Sequence, residues 1–434
     1  MRACQHMKPR VILDIGFLGH AHDEKSARRG AQRVAGHLFE GLVASGRCDL
    51  SFVATSHLAG AHDFLAAQKI SPIKKNLRQQ PMQLRRSRFG RTLAGVVQRS
   101  VENRSLVSRA GRYALAHIIK YSLACEPRLT SEMLDDADIY HTPHRPFPAA
   151  VQQHPRLKKF ITLHDFIPLK NPEYFPGTAK PFMDAVLACL TPDNFAFCVS
   201  EVTRDDTLNF SKIRPENVFV TPLAADAEIF HPETDLQKLA VVRHRLRIPD
   251  GPYLLALSAQ DRHKNFPHLI RCFGALVESG ELTDTNLVIA GANPDRNPEV
   301  IEALAKYPRA KSRVILAGFV PDEDLAGVYS GATAFLFPSL AEGFGIPPLE
   351  AMQCGTPVIA SNTTSMPEVV GEAGILLPPT EENSWCQAML RICREEKLRE
   401  ALRQKSLQRC KLFSWQRFID ETLRGYEKSL SHTK

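Results

Sequence analysis

Apolar positions along this chain gather into short blocks, separated by longer stretches of mixed polarity. A first series reads "VILDIG" (11–16), "LSFVAT" (50–55), "DIYHTP" (138–143), "KFITLHD" (159–165), "FAFCVS" (195–200) and "VFVTPL" (218–223). A second reads "YLLALS" (253–258), "NLVIAG" (286–291), "RVILAG" (313–318), "TAFLFP" (333–338), "PVIAS" (357–361) and "GILLPP" (374–379). Most are continuous Val, Ile, Leu and Phe rather than alternating, the pattern of strands buried on both faces of a parallel sheet. Helix-like stretches such as "VTRDDTLNF" and "HLIRCFGALVES" lie between several of them. Strand–helix alternation in both halves predicts an α/β protein of two doubly wound domains. The polar "HPETDLQK" (231–238) is the expected linker, which sets the domains at 1–235 and 236–411. Ligands of such sheets bind beyond the carboxyl ends of the strands, so two facing sheets predict a cleft between them.

With 434 residues, 44% hydrophobic and 24% charged, the chain has ample material for two cores. No apolar run approaches the roughly 20 residues that span a bilayer. The start, "MRACQHMKPRVILDIG", passes directly from polar residues into a strand-like run, so no secretory signal is expected. The ten cysteines are scattered without C-x-x-C pairs, which suits reduced thiols in a cytoplasmic protein and argues against a zinc site. "DAD" (136–138) reads as the polar start of a strand rather than as a metal ligand set. There is no Walker loop and no convincing G-x-G-x-x-G.

Charge changes the picture in one place. Residues 74–128 hold 13 Lys or Arg against two acids, an excess larger than the net +8 of the whole chain. Apolar residues interleave with the basic ones, so a helix or helix pair here suits the surface of an anionic membrane, and equally a solvated helix face. Nucleic acid is disfavoured, because the segment carries few aromatics for base stacking and no nucleic-acid module is present.

The candidate chemistry centres on "AEGFGIPPLEAMQCGTPVIAS" (341–361). The strand "TAFLFP" leads into a glycine loop, and Pro347 and Pro348 suit the first turn of a helix. Free N–H groups at that helix start favour an anionic ligand such as a diphosphate. Glu350, expected in the first turn, is placed to accept ribose hydroxyls, and Glu342 could hold a second hydroxylated group. Read singly, Glu342 is a loop acid and Glu350 a dipole partner contributing a few tenths of a kcal/mol. Together with the loop, they suggest a ligand with a sugar at each end of a diphosphate. "ALSAQDRHKNFPHLI" bunches Arg262, His263 and Lys264 at the end of another strand, a cationic turn suited to a diphosphate leaving group.

The block "SLAEGFGIPPLEAMQCGTPVIASNTTSMPEVVGEAGILLPP" resembles the donor-binding signature of the retaining nucleotide-sugar glycosyltransferases of family 4. That resemblance implies the GT-B fold, two Rossmann-like domains facing a central cleft, with a final helix (412–434) packing back on the first domain. It implies that Glu350 holds the nucleotide ribose, that Glu342 lies by the transferred sugar, and that Gly343, Phe344 and Gly345 contact sugar or phosphate. Lys264 matches the family's phosphate-binding lysine. The arginine usual a few residues earlier is replaced by Ser258 and Ala259, and Arg262 stands as its substitute. Gly30 matches one glycine of a turn that faces the donor phosphates, its usual neighbour being Arg29 here. His164, ending "KFITLHD", matches a histidine at the reaction centre, and His141 and His144 end another strand, with an acceptor-facing, a core or a surface role open.

The expected function is therefore transfer of a sugar, mannose from GDP-mannose by the wording of the signature, to a hydroxyl of a lipid-linked saccharide in surface polysaccharide assembly. The resemblance implies that configuration is retained; no metal or other cofactor is expected, and the enzyme is expected to be cytoplasmic or peripheral on the inner membrane face. Rival readings are a UDP-sugar donor, an epimerase or phosphorylase of the same fold, and a non-catalytic nucleotide-sugar-binding protein at a membrane.

Overall fold

The computed structural model describes residues 8–23, 30–68, 77–78, 129–175, 179–257, 261–291 and 298–431. Apart from Leu77 and Arg78, the basic segment 74–128 lies outside the described residues, as do Arg29, Ser258 and Ala259. Among the described residues, twelve strands form two six-stranded parallel sheets. The first contains β1 (Arg10–Asp14), β2 (Asp49–Val53), β3 (Ile139–Thr142), β4 (Lys158–Leu163), β5 (Phe195–Cys198) and β6 (Val218–Val220), in the order β2-β1-β3-β4-β5-β6. The second contains β7 (Tyr253–Leu257), β8 (Asn286–Ala290), β9 (Val314–Gly318), β10 (Ala334–Phe337), β11 (Val358–Ser361) and β12 (Gly374–Leu377), in the order β12-β11-β10-β7-β8-β9. Each strand falls within, or one residue beside, an apolar block named above. The reason is visible in β3, β5, β8 and β10, which are buried at every position because helices cover both faces.

The two sheets belong to one α/β molecule of the GT-B type. A continuous buried cluster runs from Phe39 and Phe52 beside the first sheet to Tyr329, Phe335 and Met352 beside the second. The last helix, Trp415–Ser431, lies against the first sheet and the helix Ala31–Ser45. Its Tyr426 is fully buried beside Phe160 and Phe197, and shares a 2.6 Å hydrogen bond with His141 Nδ1. The other ring nitrogen of His141 meets Thr162 Oγ1 at 2.8 Å, and burial drives its pKa down to about 3. Of the roles open to His141, the structure assigns the core one.

Topology positions the cleft. In the second sheet the strand order reverses between β10 and β7, so the loops leaving their carboxyl ends diverge and leave a crevice between them. Both of that sheet's candidate segments hang there: the loop 338–345 after β10, and the short 3-10 turn Arg262–Lys264 after β7. The carboxyl end of β4, with His164 beyond it, faces them from the first sheet. Asp138 sits at the amino end of β3, paired with Arg10 at 2.7 Å, and Asp136 pairs with Arg78, so "DAD" serves as strand-end structure.

Candidate active site

Between the sheets lies a cavity of about 420 Å³. Its walls include Gly30 and Arg33 from the first half, His164 and Asp165 beyond β4, Lys264 beyond β7, and the loop residues Glu342 to Gly345 with Glu350 behind them.

Local sequence explains the loop. Gly345 precedes the helix Ile346–Gln353 with φ of 94°, a left-handed conformation that a Cβ would strain. A Cβ there would also collide with the Met366 side chain. The turn starts the helix at Ile346, so Glu350 stands at its fifth position, one turn deeper than the sequence suggests. Phe344 turns its ring into the core against Phe413, 5.8 Å between centroids, and its carbonyl accepts a 2.9 Å hydrogen bond from Ser365 Oγ. Gly343 lies where a Cβ would press into the His164 carbonyl, and its own carbonyl accepts a 2.6 Å hydrogen bond from Ser200 Oγ. The glycine thus allows the two halves to meet beside the cavity.

Both glutamates carry cations. Lys264 Nζ donates to Glu342 Oε1 at 2.6 Å, over the Phe337 ring at 5.4 Å, with side chains only 15% and 11% exposed. Arg33 Nη1 donates to Glu350 Oε1 at 2.9 Å, while the Tyr329 hydroxyl donates to Oε2 at 2.8 Å. Burial pushes the Glu350 carboxyl above its ordinary pKa, against the pull of Arg33 and the Tyr329 hydroxyl. Arg262 is elsewhere. Its side chain is 61% exposed and paired with Glu299 at 2.8 Å, outside the cavity wall. In a 3-10 turn successive side chains point about 120° apart, so Arg262 and Lys264 cannot face the same way. His263 between them is buried, with its ring stacked on Phe175 at 5.4 Å.

Beyond β4, His164 Nε2 donates to the Pro143 carbonyl at 2.9 Å, since a carbonyl can only accept. Burial holds its pKa below the ordinary value, so the ring is neutral near pH 7 and Nδ1 is an acceptor. His144 packs 5.5 Å from it and stacks between Phe17 and Phe182, on the wall of a smaller cavity of about 140 Å³ that shares His164 and Asp165.

This arrangement can bind an anionic, hydroxyl-rich ligand: one lysine, one buried and one partly buried carboxylate, and a glycine turn at a helix start. The family model described as "Glycosyl transferases group 1" matches residues 242–409, which contain the second sheet, Lys264 and both glutamates. The chain is a glycosyltransferase.

The O-antigen chain mannosyltransferase B of Escherichia coli is 28% identical to this glycosyltransferase over 290 residues, 67% of this chain and 74% of that one. The serotype-specific mannosyltransferase WbdA of Escherichia coli is 26% identical over 279 residues, 64% of this chain but 34% of its own length. Among solved structures, sucrose-phosphate synthase from Thermosynechococcus elongatus superposes with a TM-score of 0.64, covering 98% of this chain and 100% of that one at 19% identity.

Three residues of the glycosyltransferase site escaped sequence reasoning. Arg33 and Tyr329, the partners of Glu350, lie 317 and 21 residues from it along the chain. The third, Asp165, follows His164, so the same end-of-strand rule could have found it. Burial, opposed by the Ile167 N–H and Lys264 and helped by Glu342, lifts its carboxyl to about 6. Among the described residues no group of His, Cys, Asp or Glu could hold a metal ion, and no helix is long and apolar enough to cross a membrane.

Proposed function

We propose that this glycosyltransferase transfers mannose from GDP-mannose, with retention of configuration, to a hydroxyl of a lipid-linked saccharide in surface polysaccharide assembly. The observation that carries the reading is the pair of carboxylates on one cavity, buried Glu350 and Glu342 with its side chain 11% exposed, with Lys264 beside the latter. A carboxylate accepts two vicinal hydroxyls well, so Glu350 takes the ribose and Glu342 the sugar end. Lys264 then sits by the diphosphate between them. An ammonium about 4 Å from a phosphate contributes roughly 4 kcal/mol at an effective dielectric of 20. That cation is our reason for expecting the reaction to run without a metal.

In the proposed step the sugar's C1–O bond to the diphosphate breaks while the acceptor oxygen bonds C1 from the same face. The acceptor's proton passes to the departing phosphate oxygen, so no protein nucleophile is required. Neutral His164 would accept a sugar hydroxyl at Nδ1, and its neutrality avoids repelling the positive charge developing on the sugar. The choice of mannose draws on the mannosyltransferases named above, each similar over about two thirds of this chain.

Calorimetric binding of GDP and UDP, with chelator present, to the wild type and to Glu350→Gln tests the reading. One nucleotide should bind, and the substitution should weaken it about tenfold or more, near 1.4 kcal/mol. Binding of neither nucleotide, or no effect of the substitution, overturns the ribose role. Turnover with the corresponding mannose donor, and the anomeric configuration of the product, then test sugar and stereochemistry.

A further inference from the structure

Arg33 has no part in the reading above, yet it holds the residue on which that reading turns. It lies in the first turn of the helix Ala31–Ser45, on the first half of the molecule, three residues beyond Gly30. Its guanidinium crosses the cleft to Glu350 on the second half, at 2.9 Å, and the two side chains are only 17% and 9% exposed. The guanidinium carbon stands 5.6 Å over the Phe230 ring, and Nη2 is 3.6 Å from Asp322. Arg33 also lines the cavity that holds Lys264 and Glu342.

Both oxygens of Glu350 are engaged, Oε2 by Tyr329 and Oε1 by Arg33. A ribose bringing two hydroxyl donors therefore meets an acceptor already in use. Tyr329 is fully buried and belongs to the same half as Glu350, so it stays. Arg33 approaches from across the cleft on a long flexible side chain, so it is the partner that can yield. Its alternative partner in the protein, Asp322, is 51% exposed, and water weakens that attraction. A diphosphate in the same cavity offers more charge, and oxygens spaced to accept a guanidinium in two-pronged fashion.

Resting on the assignment of the ribose to Glu350, we propose that Arg33 is a donor-binding residue held in reserve. The incoming ribose takes its place on Glu350, and the released guanidinium closes on the donor diphosphate from the opposite wall of the cleft to Lys264. Nucleoside and diphosphate then make opposite demands on Arg33. It competes with the first and binds the second.

The test is calorimetry of guanosine and GDP, or uridine and UDP if that is the series bound, on wild type, Arg33→Met, Arg33→Lys and Glu350→Gln, with melting curves for each. Arg33→Met should bind the diphosphate about tenfold more weakly while binding the nucleoside as well as wild type or a few-fold more tightly. Arg33→Lys keeps the charge without the fork, so it should lose about threefold on the diphosphate and nothing on the nucleoside. The lysine variant carries the test if the methionine variant does not fold. Equal weakening of nucleoside and diphosphate means that Arg33 only supports the fold, and unchanged diphosphate binding means that it never reaches the phosphates. Either result overturns the proposal. Glu350→Gln separates the two readings: unchanged nucleoside affinity sinks the ribose assignment itself, whereas a loss there, with an unmoved diphosphate in the Arg33 variants, sinks only this inference.

Discussion

Adding one methyl group at Gly343 tests whether the closed cleft is the working form. In Gly343→Ala the new Cβ would lie 2.9 Å from the His164 carbonyl carbon, closer still to its oxygen, and 2.9 Å from Asp165 Cβ. Gly343 has no positive φ, so the alanine is acceptable to its own backbone, and the conflict is wholly with the facing half. Two backbone segments cannot yield as a side-chain tip would, so relief requires the halves to part by about 1 Å. Parting also stretches the 2.6 Å bond from Ser200 to the Gly343 carbonyl, a loss of about 1 kcal/mol. A misplacement of about 1 Å at reacting groups costs on the order of 100-fold in rate, or about 2.7 kcal/mol of barrier. We therefore expect kcat/KM to fall by about 100-fold. Nucleoside affinity should change by less than about threefold, because Glu350 and its partner Tyr329 stay together on the second half. Steady-state transfer assays alongside calorimetry measure the split. Activity within about threefold of wild type would refute the reasoning, since the Gly343–His164 contact would then be dispensable to the reacting geometry.

Two further outcomes follow from the same geometry. Lys264→Met should lower kcat/KM by more than about 100-fold, and should also lower the melting temperature by leaving the partly buried Glu342 without its cation. Adding Glu342→Gln should restore the melting temperature and not the activity, and recovery of both would make Lys264 structural. Asp165 supplies a pH test. Its folded pKa of about 6 lies above the ordinary 3.8, so its protonated form is favoured by folding. That contribution is fully present below pH 3.8 and is lost as pH rises through about 6. The melting temperature of wild type minus that of Asp165→Asn should therefore decrease between these limits, and a constant difference would show that Asp165 is not held in a charge-disfavouring site.

The fold was legible because burial on two faces writes itself into composition. A strand such as "AFLF" in β10 has no position at which a polar residue would be tolerated, so it reads as an unbroken apolar block wherever it lies. Glycines and prolines then mark the turns. Gly345, Pro347 and Pro348 place a loop and a helix start after β10 using only local sterics. The exact start of that helix was less legible, since a proline pair tolerates the first turn at more than one offset, and Gly345 with its left-handed backbone settled it at Ile346.

The chain alone therefore specified the two wound sheets, the strand ends at which a ligand would be sought, and the residue types gathered there. Those rest on short-range rules: periodicity, turn sterics and the alternation of strand with helix. Which side chains meet was decided only by the tertiary structure, because it depends on strand order and on the second half closing on the first. The reversal between β10 and β7 brings Lys264 to Glu342 across 78 residues, and closure brings Arg33 to Glu350 across 317. The 3-10 turn separates Lys264 from Arg262, which sequence proximity had grouped. Pairings of this kind leave no local periodicity to read, since each partner obeys the rules of its own element and the energy of the contact appears only when the sheets face each other.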